Sequence, residues 1–585
     1  MPYYPTRKLT VIALDPSVKT GGRILRTQLE IPNELLDAGP RGYRVHVIDY
    51  DSSSDSLYGP QRVPPAMNTE VEAPDDPFES VSDQALLADP AFHAFMTYGI
   101  VMNTLARFEL ALGRRIGWSF DGHQIQVAPH AFADANAFYT DAAQGLFFGY
   151  FPSADGKRKV FSCLSHEVVA HETTHALLDG LRERYMDPSS PQQAGFHEGF
   201  ADIVALLSIF SAQSVVAKVV DLGLPSVKRG SIRRVDMSPR KLRESGLFGL
   251  AQEMGSELAG IHGHALRRSV SLPPRKDYLT SGEYNEAHTC GEILVAAVLN
   301  GYLDIWLRRL KAVGDENKLD RNRAAEEGAE LACRLLTVCI RAIDYCPPTD
   351  LQFGDFVSAL LTADWELYPT DDKYDLREHL LRWFQAYGIN PSSPGRPDRE
   401  PGSWDPPPGD HAFVYDRTHF DSMKVDKDEV FRFLWENRKA FKLNEQAHTR
   451  VLSVRPCLRV SRDGFTLRET VVEYHQELKL FARELAGLKI AQPKGMPDDT
   501  EVTLYGGNAV IFDEYGRVKY SVGNSIIDSS RPGTLKRQER RLQYLWNQGA
   551  FSAGATKMRA FSRMHMQRST DWYRSLARRE PDGEV

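Results

Sequence analysis

Short apolar runs separated by Asp, Ser, Gly and Pro clusters dominate residues 1–88, as in Leu9 to Leu14 and Tyr43 to Ile48. Runs of that length bounded by turn residues predict strands, so this part is expected to be a small β-rich N-terminal region. From Ala91 to about Ile116 the period changes, and FMTYGIVMNTLARFELAL repeats its apolar residues at helical spacing. A β-like stretch follows from Ile125 to Tyr150. The i, i+3, i+4, i+7 pattern then returns in segments 162–182, 196–219, 286–313, 321–344, 354–365 and 374–387, most of them closed by Gly, Pro or Asp. Residues 390–410, NPSSPGRPDREPGSWDPPPGD, hold too much Pro and Gly for a helix or a central strand and read as an extended linker. Beyond it, 426–447 reads as a helix, and EVTLYGGNAVIFDEYGRVKYSV (501–522) alternates about Glu514-Tyr515-Gly516 as a β-hairpin does. The predicted class is α+β, divided into a β-rich region (1–88), a mainly helical unit (89–390), a Pro/Gly-rich linker (391–425) and an α+β C-terminal domain (426–585).

Composition narrows the function classes. With 585 residues, 42% hydrophobic and 25% charged, the chain can bury several cores and is not compositionally disordered. A net charge of -7 offers no global reason to bind nucleic acid or an anionic membrane. Only the end, Lys536 to Arg579, is basic, and a solvated or acid-paired helix face explains it better than nucleic-acid binding; the C-terminal domain is the candidate surface for a protein partner. Six cysteines without a CxxC pair read as mostly buried free thiols. The N-terminal residues lack the apolar core of a signal peptide, so a cytoplasmic location is expected, with non-classical export left open. No stretch of ~20 residues is free of charged or strongly polar groups, so no membrane span is expected.

The chemistry concentrates in CLSHEVVAHETTHALLDG (163–180). In its His171-Glu172-Thr173-Thr174-His175 the two histidines share one helix face at i and i+4, where both imidazoles can ligate one metal with Glu172 beside them as general base. HExxH alone recurs by chance and needs a third ligand. GFHEGFADIVALL (195–207) offers Glu198 on a second helix, which completes a His2Glu set with an open position for water. Asp202, one turn later, is placed to accept the remaining ring N–H of a ligating histidine. The same Glu and Asp on an isolated helix would be read as a solvated acidic face; beside HExxH they are read as ligand and support.

HETTHALLDG followed by HEGFADI resembles the thermolysin-like branch of the gluzincin zinc metallopeptidases. Metzincins are excluded, since their Gly and third His positions hold Leu178 and Leu181. The resemblance covers roughly 90–390 and implies a two-lobed unit, β-rich then helical, with one catalytic zinc ion on His171, His175 and Glu198. It implies that Asn136 and Ala137 of NAFY lie on an edge strand that pairs with substrate backbone. Arg268 of LRRSVSLP, with Arg267 as alternative, falls on the family's substrate-carbonyl arginine. His288 of EAHTCGE falls on the histidine that stabilises the tetrahedral intermediate, Glu283 on the acid that orients it, and Tyr185 on a second oxyanion donor. Ile209 replaces a calcium-binding carboxylate of the secreted members while Glu167 matches a calcium-ligand position, so calcium is open but the double site is not expected. The implied activity is zinc-dependent endopeptidase cleavage of a protein or peptide substrate; the rival is a catalytically latent metalloprotease fold acting as a binding or scaffold module through its C-terminal domain.

Overall fold

The computed structural model describes residues 6–64, 76–153, 156–223, 230–233, 269, 272–313, 318–395, 399–407, 413–460, 464–528 and 532–551. Its class is mixed α+β with several sheets. Two antiparallel strands open it, β1 (Thr6–Ile12) and β2 (Arg26–Pro32). They pack on α1 (Pro90–Leu112), which Asp89 caps by accepting from the Ala91 N–H and which Gly113 ends in the left-handed region at φ 69°. A mixed sheet follows in the order β7 (Lys159–Phe161), β6 (Gly145–Pro152), β4 (Ile125–Phe132), β3 (Val45–Val47). Strand β5 (Ala137–Thr140) pairs antiparallel with β6, and among the described residues no strand pairs with its other edge.

The helical body contains α2 (His166–Leu181), α3 (Pro191–Phe210), α4 (Gln213–Gly223), α5 (Ala287–Val313), α6 (Arg321–Ala342), α7 (Phe353–Leu367) and α8 (Leu376–Ala386). The single helix expected over 196–219 is two, bent by 85° at Ser211-Ala212. Ser211 donates its hydroxyl to the Ser208 carbonyl at 2.6 Å and accepts from Arg107 at 2.8 Å, so its side chain competes with the helix ladder at the break. In α5, the stretch Ala287–Ala312 is long and apolar enough to cross a membrane, but 94% of its most apolar window is buried inside the protein. Such a helix, apolar on all faces, is a core helix here. Of the six free cysteines, Cys163, Cys290, Cys339, Cys346 and Cys457 are buried.

The C-terminal region holds α9 (Lys427–Glu436), an antiparallel meander of β8 (His448–Val460), β9 (Thr466–Phe481), β10 (Glu501–Phe512) and β11 (Val518–Asn524), and α10 (Pro532–Asn547). The helix expected over 426–447 stops at Glu436, because Asn437 caps it and spends its side chain on the carbonyls of Val414 and Phe433. The expected hairpin forms, turning at Gly516 with φ 86°. Both faces of this sheet are buried. Val472, Val510 and Phe512 face α9, whereas Val471, Ala509 and Ile511 join the core of the helical body, as the two-residue period of a strand requires.

Buried charge completes the joint. Asp344 accepts two 2.6 Å bonds from Arg114 and a further bond from Arg459, which also reaches Glu469 at 2.6 Å. Arg182, at the end of α2, bonds Glu473 of β9 and the Ile343 carbonyl. The described residues of 390–407 form no helix or strand, yet they are tied down, and a short helix, Phe420–Met423, lies within the expected linker 391–425. Ser393 donates its N–H to the Ser358 hydroxyl at 3.0 Å, and Trp404 reaches Thr362 and the Tyr345 carbonyl at 2.8 and 2.9 Å. On α10, Arg537 and Arg541 lie 3.5 and 3.4 Å from Asp355 and Asp350, so this part of the basic segment is acid-paired; residues 552–585 lie outside the described residues.

Burial alone would raise the Asp344 carboxyl, but Arg114 and Arg459 hold it well below the usual carboxylate range. Its contribution is therefore complete above the unfolded value near pH ~4 and is lost as pH falls through the depressed folded value. Asp344→Asn is expected to cost about 3–5 kcal/mol in denaturant unfolding at pH 7, since it takes the carboxylate from buried Arg114 and leaves buried Arg459 with Glu469 as its remaining carboxylate, and to flatten the acid limb of the stability profile. An unchanged midpoint would show that the network does not hold the joint.

Candidate metal centre

Helix α2 begins where the Ser165 hydroxyl accepts the Val168 N–H, at the end of a turn whose next residue, His166, donates its N–H to the Leu14 carbonyl at 2.8 Å. The two threonines of the motif satisfy their buried hydroxyls within the helix, Thr173 on the Val169 carbonyl (2.6 Å) and Thr174 on Ala170 (2.7 Å). That leaves His171 and His175 one turn apart on the face toward α3. Their Nε2 atoms stand 2.8 Å apart with the rings at 90°. Helix α3, capped by Ser190 and opened by Pro191, brings Glu198 Oε2 to 3.5 Å from His171 Nε2 and 3.8 Å from His175 Nε2. Glu172 is fully buried, and its carboxylate lies in one cluster with the two imidazoles, ligand atoms within 4.8 Å of one another.

The far side of each ring is also held. His171 donates from Nδ1 to Asp202 Oδ1 at 2.8 Å, the contact expected from the one-turn spacing of Glu198 and Asp202. Burial pulls the His171 pKa down, but Asp202, Glu198 and Glu172 together hold it well above its ordinary value. His175 Nδ1 lies 2.8 Å from His197 Nδ1, with the rings stacked at 4.8 Å. His197 is not among the residues the sequence singles out; its place beside Glu198 in a helical run is the available signal.

Helices α3 and α5 meet at three glycines. A Cβ on Gly199 would lie 2.7 Å from the Gly291 carbonyl oxygen, one on Gly195 2.7 Å from Cys290 Cβ, and one on Gly291 2.8 Å from the Gly199 nitrogen. With no side chains between the backbones, His288, one turn before Gly291, comes over Glu198 with Nε2 3.3 Å from Oε2. His288 and Asp202 are the partly exposed members of the cluster, at 17% and 12%.

Other expected residues lie elsewhere. Glu283 does not orient His288: it is exposed and paired with Arg275 at 2.9 Å. Glu286 takes that place, 2.9 Å from His288 Nδ1, because it precedes the helix by one residue and can fold back on its first turn. Burial works against it, but the bonds from His288 and the Thr289 N–H hold the Glu286 carboxyl down to about 2. Tyr185 is not brought to the cluster. It is buried in a 3-10 turn, and its hydroxyl donates to the Pro347 carbonyl at 2.7 Å. Asn136 and Ala137 are buried at the start of the edge strand β5, and Tyr139 of that strand donates to Asp179 of α2 at 2.9 Å, linking the edge to the motif helix. Arg267 and Arg268 lie outside the described residues.

The donor chemistry fits one divalent ion. Donor separations of 2.8, 3.5 and 3.8 Å bracket the ~3.4 Å edge of a tetrahedron with zinc-to-ligand bonds of about 2.0–2.1 Å. Buried carboxylates around two imidazoles also supply the negative charge that a cation needs. No protein-family model matches the chain and no curated protein matches it, so the resemblance rests on the motifs and their geometry.

Gly291→Ala is expected to lose about 1–3 kcal/mol in urea unfolding, because the backbone opposite it, at Gly195 and Gly199, belongs to the packed helix α3. His288→Ala, at the partly exposed end, should lose less than about 1 kcal/mol. Equal losses in the two proteins would remove the crossing from its structural role.

Proposed function

We propose that the chain is a zinc-dependent endopeptidase of the thermolysin-like gluzincin type, with His171, His175 and Glu198 as metal ligands and Glu172 as general base. The observation that carries this reading is the convergence, from two separate helices, of two imidazoles and a carboxylate around a buried Glu172 that zinc binding alone does not require. Zinc, when bound there, supplies Lewis acidity and a water of lowered pKa. Glu172 takes the proton of the attacking water and returns it to the leaving amine. His288, its ring held at Nδ1 by Glu286, is the group placed to donate from Nε2 to the developing oxyanion. In this reading the edge of β5 that no described strand pairs with takes an extended peptide, and the Tyr139 to Asp179 bond links that strand to the motif helix. Tyr185, committed to Pro347, is left out of the reaction, so oxyanion stabilisation falls to His288.

The test is cleavage of a mixed peptide library, read by mass spectrometry. Glu172→Gln is expected to lower cleavage by about 10²–10⁴-fold with its metal retained, and His175→Ala to lose both cleavage and one equivalent of zinc. Wild-type protein that holds its zinc and cuts nothing would favour the latent binding module.

A further inference from the structure

A second cluster of metal-ligating side chains lies away from the HExxH helix face. His93 in the first turn of α1, His130 in β4 and Cys163 in the 3-10 turn Ser162–Leu164 bring their ligand atoms within 4.8 Å of one another. His93 and Cys163 are buried, and the His130 side chain is 13% exposed. Phe161 covers both imidazoles, with ring centroids 4.9 and 5.1 Å away.

The hydrogen bonds around the two rings point inward. His93 Nε2 is 3.0 Å from the Leu87 carbonyl, which can only accept, so the proton of the neutral ring sits on Nε2 and Nδ1 is bare. His130 Nδ1 is 2.8 Å from the Asp49 carboxylate, so its proton sits on Nδ1 and Nε2 is bare. The two bare nitrogens face each other at 2.8 Å. Two lone pairs at that distance repel unless something positive lies between or beside them. Each far-side bond is of the kind that orients a metal-ligating histidine, one to a carboxylate and one to a backbone carbonyl. Cys163 adds a soft donor on the third side.

We propose that His93, His130 and Cys163 bind a second metal ion, a borderline-soft first-row dication of which zinc is the best chemical match. On binding, the Cys163 thiol gives its proton to solvent and a sulfur-to-metal bond forms; no electron is transferred. Three protein ligands leave one tetrahedral position for water. The ion would tie α1, the central sheet and the turn that leads into α2, three residues before His166, into one unit.

Cobalt separates the two centres, because only this one has a sulfur ligand. The full-length protein, stripped of metal and reloaded with Co2+, is expected to hold two equivalents and to show a near-ultraviolet thiolate-to-cobalt charge-transfer band. Cys163→Ala should hold one equivalent and lose the band, whereas the double variant His171→Ala, His175→Ala should hold one and keep it. Should Cys163→Ala fail to fold, His130→Gln gives the same reading, with band and one equivalent lost in support. A wild-type protein without the band, or a band that survives in the folded Cys163 or His130 variant, overturns the proposal and leaves the two imidazoles sharing a proton.

Discussion

Helices α3 and α5 touch backbone to backbone because residues 195, 199 and 291 are all glycine, and the arrangement of the cluster depends on that contact. Glycine inside a helix costs roughly 1 kcal/mol relative to alanine. Here the cost is offset by the burial of most of α5, and the crossing fixes the geometry of the cluster. Glu198 precedes Gly199 and His288 precedes Gly291 by one turn, so closing the helices sets the histidine over the carboxylate. Larger side chains at the crossing would separate the helices and leave the two groups on different surfaces.

The cluster is ordered from behind as much as from within. Asp202 fixes the His171 ring, His197 lies against His175, and Glu286 holds His288, so each imidazole has its far nitrogen engaged and its near nitrogen directed at a common point. The carboxylates of Asp202 and Glu286 select the tautomer and ring orientation of His171 and His288. Glu172, Glu198 and Asp202 are buried carboxylates held in a small volume, a costly arrangement in low dielectric that bound positive charge relieves.

The C-terminal sheet extends the helical body. Its strands alternate between two cores, and arginines from both partners are buried against Asp344, Glu469 and Glu473. Arg182 closes α2 and bonds β9, so the helix that carries the HExxH residues is anchored at its far end by the C-terminal region. The Pro/Gly-rich segment between the two parts is bonded along α7 instead of swinging free.

Periodicity by itself determined most of the helices, the C-terminal hairpin and the strands of the first and central sheets, because each buries one face and burial imposes a repeat of 3.6 or 2 on the sequence. Motif spacing likewise determined that His171 and His175 share one helix face and Glu198 and Asp202 another, since i and i+4 share a face on any helix, while the meeting of the two helices belongs to the tertiary structure. What escaped were relations that no spacing encodes. Glu283 and Glu286 both lie within five residues of His288, and the start of α5 decides which folds back on it. Tyr185 follows the motif helix closely, yet the turn at 183–186 points its hydroxyl at Pro347. The Pro/Gly composition of 390–410 excludes regular structure but is silent on burial, and the ring contacts of His93 with His130 join residues from a helix and a strand. Those choices belong to the tertiary structure, because they depend on which surfaces of separately legible elements are pressed together.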